Sequence, residues 1–192
     1  MKKITLILCL SMASTFVFSQ DVLVKVSPFH FLDGTIYATY ERALNNNNSF
    51  ALSGGYRLSD NGDEYGWMGE LQLRKYVFKP TINSSSESSL AGVYVGLYGN
   101  GKYFVETYTN HFHYNNVYTE HNYEYDVKQI EGGVLMGIQI LFSEKLSLDF
   151  FAGGGLRSSE FDHKPINLEF YSPERGYTGI VPKIGFDIGV SF

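Results

Sequence analysis

The amino-acid sequence predicts an all-β protein: an eight-stranded antiparallel up-and-down transmembrane β-barrel. Three observations predict it. Apolar residues recur at every second position in eight separate segments, the period of a strand rather than a helix. The connections between those segments alternate between short and long, as the two rims of a membrane barrel do. The 192 residues include 15 Tyr, 15 Phe and 20 Gly; aromatics favour strands, and glycine marks turns and close approaches.

The first segment to account for is not a strand. "MKKITLILCLSMASTFVFSQ" places Lys2 and Lys3 before an apolar run from Ile4 to Phe18, with the small residues Val17 and Ser19 at its end. This order predicts a cleaved signal peptide over residues 1–19. The run is shorter than the roughly 20 residues a spanning helix needs. A single domain over 20–192 remains. The one cysteine, Cys9, belongs to the leader, which leaves the barrel without a disulfide, a thiolate metal site or a cysteine nucleophile. Without Lys2 and Lys3 the remaining 13 basic residues face 20 acidic ones, a net charge near −7. That balance argues against a nucleic-acid partner.

The strands follow in order. In "DVLVKVSP", Val22, Val24 and Val26 oppose Leu23, Lys25 and Ser27. In "TIYATYERA", Ile36, Ala38 and Tyr40 oppose Thr35, Tyr37, Thr39 and Glu41. "FALSGGYRL" sets Phe50, Leu52, Tyr56 and Leu58 against Ala51, Ser53, Gly55 and Arg57. "WMGELQLRKYV" sets Trp67, Leu71, Leu73 and Val77 against Met68, Glu70, Gln72, Arg74 and Tyr76. "LAGVYVGLYG" carries Val93, Val95 and Leu97 on one face and Tyr94, Gly96 and Tyr98 on the other. "QIEGGVLMGIQILF" alternates Ile130, Val134, Met136, Ile138, Ile140 and Phe142 with Gln129, Glu131, Gly133, Gly137 and Gln139. "SLDFFAGGGLR" alternates Leu148, Phe150, Ala152 and Leu156 with Asp149, Phe151, Gly153, Gly155 and Arg157. The last, "GIVPKIGFDIGVSF", alternates Ile180, Pro182, Ile184, Phe186, Ile188 and Val190 with Val181, Lys183, Gly185, Asp187, Gly189 and Ser191.

Between strands, "NNNN" at 45–48, "KPTINSSSESS" at 79–89 and "SEK" at 143–145 form one set of connections. The other set is mostly longer: residues 59–66, a loop at 105–122 and a loop at 158–176, with a short apolar exception, "FHFLDG", at 29–34. Eight strands put both termini on the short-turn rim.

Alternation leaves two ways to bury a barrel. In water the apolar face turns in; in a membrane it turns out and the interior is polar. Here the polar face holds Glu41, Arg57, Glu70, Arg74, Glu131, Asp149, Arg157, Lys183 and Asp187, a set that pairs across a narrow lumen. Inward glycines, among them Gly137 and Gly185, leave room that Tyr76, Tyr94, Tyr98 and Phe151 fill. Eight strands leave an interior about filled by side chains. The alternative is a soluble periplasmic or secreted barrel of lipocalin type with a small apolar ligand inside. It requires every face inverted.

The sequence stops on Phe192, preceded by apolar residues at alternate positions, Val190, Ile188 and Phe186. That pattern is expected to serve as a signal to the barrel assembly machinery. The segments "LAGVYVGLYG", "EGGVLMGIQILFSEKLSLDFFAGGGL" and "PKIGFDIGVSF" resemble the small outer-membrane β-barrel proteins of unknown function common in Bacteroidetes, and more generally the OmpA-transmembrane and OmpX type. The resemblance implies an outer-membrane barrel embedded in lipid. It supplies no catalytic residue to carry over.

Chemistry-bearing residues are sparse. His111 and His113 share a face if their segment is a strand, and His121 lies nearby in sequence, a weak candidate set for a metal. Five tyrosines between 106 and 126 suit contact with an extracellular glycan or protein through the loop at 105–122, or an interfacial aromatic girdle. Ser158, Ser159, Asp162 and His163 have the composition of a hydrolase acting on lipid or peptide, but not the spacing of a nucleophile elbow. The expectation is a non-catalytic envelope protein without a cofactor, with a structural or surface-interaction role.

Overall fold

The computed structural model describes residues 21–58, 64–79, 89–114, 117–142, 145–162 and 177–192, with the side chains of 108–123 outside that description. The expected leader at 1–19 lies outside the described residues, as do His163 and most of the connections at 59–63, 80–88 and 163–176.

Eight strands form: β1 (Val22–Val26), β2 (Thr35–Asn45), β3 (Asn48–Arg57), β4 (Glu64–Phe78), β5 (Gly92–Tyr114), β6 (Val117–Phe142), β7 (Leu146–Asp162) and β8 (Gly179–Ser191). Each pairs antiparallel with the next, and β1 pairs with β8 to close the barrel. The β2–β3 turn is tight because Asn45 Oδ1 accepts the backbone N–H groups of Asn47 and Asn48 at 3.0 and 2.9 Å, an Asx turn.

β1 is short for a local reason. Ser27 is extended, and Pro28 opens a five-residue helix, α1 (Pro28–Leu32), where a missing N–H costs nothing. α1 fills the position that a longer β1 would have taken between β2 and β8. Ser27 Oγ donates to the Phe186 carbonyl across that gap at 3.4 Å. In β8, the Ser191 N–H bonds towards Lys145 and the Phe192 N–H towards Val22, so even-numbered residues face the β1 side. Pro182 is even-numbered, and its absent donor falls where β1 has already ended, an edge position that suits proline.

The faces sort by polarity in an inverted sense. Ile130, Leu156 and Ile184 are 74%, 68% and 77% exposed, whereas Lys25, Glu41 and Asp149 are 0% exposed and Arg74 2%. At about 3.4 Å per residue and a tilt near 45°, the apolar row from Ile130 to Phe142 rises roughly 29 Å, close to the ~30 Å of a bilayer core.

One expectation is corrected. The stretch at 105–122 is not a loop: β5 and β6 stay paired without a register shift up to Tyr114 opposite Val117. β4 stops pairing with β5 at Glu106, and β7 stops pairing with β6 at Asp126. Beyond those points the two strands continue as a ribbon paired to each other, with no third strand among the described residues.

Candidate functional site in the barrel interior

The interior is organised around Lys25 and Arg74. Alternation along β1 turns Lys25 inward between Val24 and Val26, and its ammonium donates to Glu41 Oε2 at 2.6 Å, Asp149 Oδ2 at 2.7 Å and Gln139 Oε1 at 2.9 Å. Three donors meet three acceptors, so the group is fully satisfied. Arg74, on β4, donates from Nη1 to Asp149 Oδ2 at 2.7 Å and Glu41 Oε2 at 3.1 Å, and from Nε to Gln72 Oε1 at 2.7 Å.

The remaining carboxylate oxygens are also occupied. Glu41 Oε1 accepts Ser49 Oγ at 2.6 Å and Tyr76 OH at 2.9 Å; Asp149 Oδ1 accepts Tyr94 OH at 2.7 Å. The Arg74 guanidinium lies over the Tyr94 ring at 4.5 Å. Two cations and two carboxylates cancel, at a depth where an uncompensated charge would be costly. Arg74 Nη2 alone among these donors lacks a partner.

Glycine makes the packing possible. A Cβ on Gly137 would meet Tyr94 Cζ and OH at 2.5 Å, and one on Gly185 would overlap the Phe151 ring. Any larger residue would displace the aromatic that closes the lumen.

Gln72 links this cluster to the next. Its Nε2 donates to Glu70 Oε1 at 2.6 Å, while Glu70 Oε2 accepts Lys183 Nζ at 2.6 Å and Asn100 Nδ2 at 3.2 Å. Beside it, Arg157 bonds Glu131 Oε2 through Nε at 2.9 Å and Nη2 at 2.7 Å, and Tyr98 OH donates to Glu131 Oε1 at 2.7 Å.

The nine charges singled out from sequence therefore divide. Glu41, Arg74 and Asp149 join Lys25. Glu70 pairs with Lys183, and Glu131 with Arg157. Arg57 stands apart, bridging Asp33 and Glu64 at 3.1 Å each near the far rim. Asp187 is buried opposite Asp149 in the β7–β8 register and forms no ion pair among the described residues. Lys25, Gln72 and Gln139 are members that the sequence argument left out. For Lys25 the signal was present, since it occupies the polar face of "VLVKV".

The histidine candidates lie on the ribbon. His111 pairs with Glu120, His113 with Tyr118 and His121 with Asn110. The side chains of all three histidines lie outside the described residues. Ser159 Oγ donates to the Tyr177 carbonyl at 2.9 Å. The C-terminal row is outward: Val190 and Phe192 are exposed, Phe186 stacks on Phe150 at 4.6 Å, and the Phe192 N–H donates to the Val22 carbonyl at 3.0 Å.

The interior chemistry is neutralisation and closure. Glu41 and Asp149 face cations and hydroxyl donors, and Ser49 donates to Glu41 from a position without solvent access.

No curated protein matches the chain. Among solved structures, it is similar to the N-terminal β-barrel domain of Pseudomonas aeruginosa OprF, with 13% identity and a TM-score of 0.38 over 91% of this chain and 98% of that one. The family described as "Protein of unknown function (DUF3575)" matches residues 4–181. With a match over most of its length, the chain belongs to that family.

Proposed function

We propose that the chain is an integral outer-membrane β-barrel with a non-catalytic role in the cell envelope, held in lipid with its short turns towards the periplasm and the β5–β6 ribbon outside. The observation that carries this reading is the inverted polarity: a fully buried set of Lys25, Glu41, Arg74 and Asp149 inside an exposed apolar belt. A lipocalin-type barrel needs apolar residues where these charges stand. In lipid, closed barrels satisfy every backbone group between strands, and an apolar exterior becomes the favourable one. The partners that follow are outer-membrane lipid, the assembly machinery acting on the row ending at Phe192, and an extracellular glycan or protein at the ribbon.

The test is migration of the detergent-extracted outer-membrane fraction on a gel, boiled against unboiled. A heat-dependent shift of a band found in that fraction is expected. Protein recovered only in the soluble fraction, without a shift, would exclude the reading.

A further inference from the structure

Among the described residues, the outward rows of β2 and β4 carry two charges, both cationic, while Lys128 and Glu160 are exposed register partners beyond Ile130 and Leu156 at the other end of the wall. Arg42 and Lys75 are exposed in the outward rows of β2 and β4. Their neighbours along those rows are Tyr40, Leu44, Leu73 and Val77. A cation facing lipid is costly at mid-bilayer and tolerated near an interface. Both sit close to the short-turn rim: Lys75 is opposite Asn48, the first residue after the Asn46–Asn47 turn.

Lys75 also borders an apolar groove of about 770 Å³, within the ~300–1,000 Å³ usual for ligand sites. The register explains its shape. Leu73, Leu97 and Val134 form one outward row, and Val95, Met136 and Ala152 a second. The row between them, Arg74, Gly96, Leu135 and Gly153, faces the lumen, so only its backbone floors the valley. The groove is therefore apolar along its length, with an ammonium at its β4 end.

We infer that this groove holds one phospholipid of the periplasmic leaflet. One acyl chain lies between the two apolar rows, and the phosphate meets Lys75, whose flexible stem lets the ammonium rise to headgroup level. Arg42 supplies a second cation on the same rim. The outward rows of β2 and β4 carry no carboxylate among their described residues, which suits an anionic headgroup and disfavours a cationic ligand. The inference rests on the outer-membrane reading.

The test uses the detergent-extracted, heat-modifiable full-length barrel after delipidation, titrated with phosphatidylglycerol and read by native mass spectrometry. One retained lipid per barrel is expected. Lys75→Gln and Arg42→Gln should each weaken retention about fivefold. Ala152→Phe, which fills the groove and leaves both cations, should weaken it at least as much. Diacylglycerol, with chains and no phosphate, should not displace the lipid. Equal retention by wild type and all three variants, or displacement by diacylglycerol, would overturn the inference while leaving the folded barrel, and so the outer-membrane reading, intact. A protein without a heat shift overturns both.

Discussion

Lys25 is the residue on which the interior charge balance depends most directly. It touches Glu41 and Asp149, which have only Arg74 as a further cation among the described residues. Replacing Lys25 with Met would leave a net buried negative charge, and breaking a buried pair in this way typically costs about 3–5 kcal/mol. The urea midpoint of the barrel refolded in detergent should fall accordingly, and Asp149→Asn in the same chain should recover part of the loss. An unchanged midpoint for Lys25→Met would mean that the cluster does not hold the strands. The parity of Lys25 was legible in the sequence, since period two fixes the face of every residue on a strand. Its partners were not, because residues at one level of a barrel are set by strand stagger and tilt, which "VLVKV" does not encode. The same limit applies to Arg57, which bonds Asp33 and Glu64 at the rim rather than the central carboxylates.

The β5–β6 hairpin is one element with two environments. From Gly92 to Glu106 and from Asp126 to Phe142 it is flanked by β4 and β7; above that no third strand pairs with it among the described residues. Isolated two-stranded ribbons are marginal in water, so the upper part adds little to barrel stability. Joining Thr107 to Glu124, which are register partners, through an Asn-Gly turn in place of 108–123 should keep the heat-dependent gel shift and the urea midpoint. Loss of folding would show that the ribbon belongs to the folding unit. The division also explains what the sequence concealed. "VYVGLY" and "VLMGIQILF" alternate sharply because one face meets lipid and the other a crowded lumen. "TYTNHFHYNNVYTEHNYEY" has polar or amphipathic residues on both faces, and without a buried side there is no period to read. Pairing inherited from the wall below continues the strands there.

At the scale of the whole molecule, the cross-section decides whether the barrel conducts. Salt bridges alone do not close a lumen, because side chains can exchange partners around a water file. Here the ion pairs are interleaved with rings: Tyr76 and Tyr94 pack at 5.5 Å, Arg74 covers Tyr94, and Lys183 lies 4.6 Å from the Tyr98 centroid. Tyr94 and Phe151 occupy the room left by Gly137 and Gly185, so the aromatics, more than the charges, exclude water. Planar bilayers containing the wild-type protein should therefore pass no stepwise current. Tyr94→Ala combined with Phe151→Ala removes the filling while leaving all four charges of the central cluster, and should produce conductance steps in a barrel that still shifts on heating. Steps from the wild type would mean that the interior opens without help. Silence from a folded double variant would assign closure to the charge cluster instead, and the same measurement on Arg74→Ala would then be expected to open it.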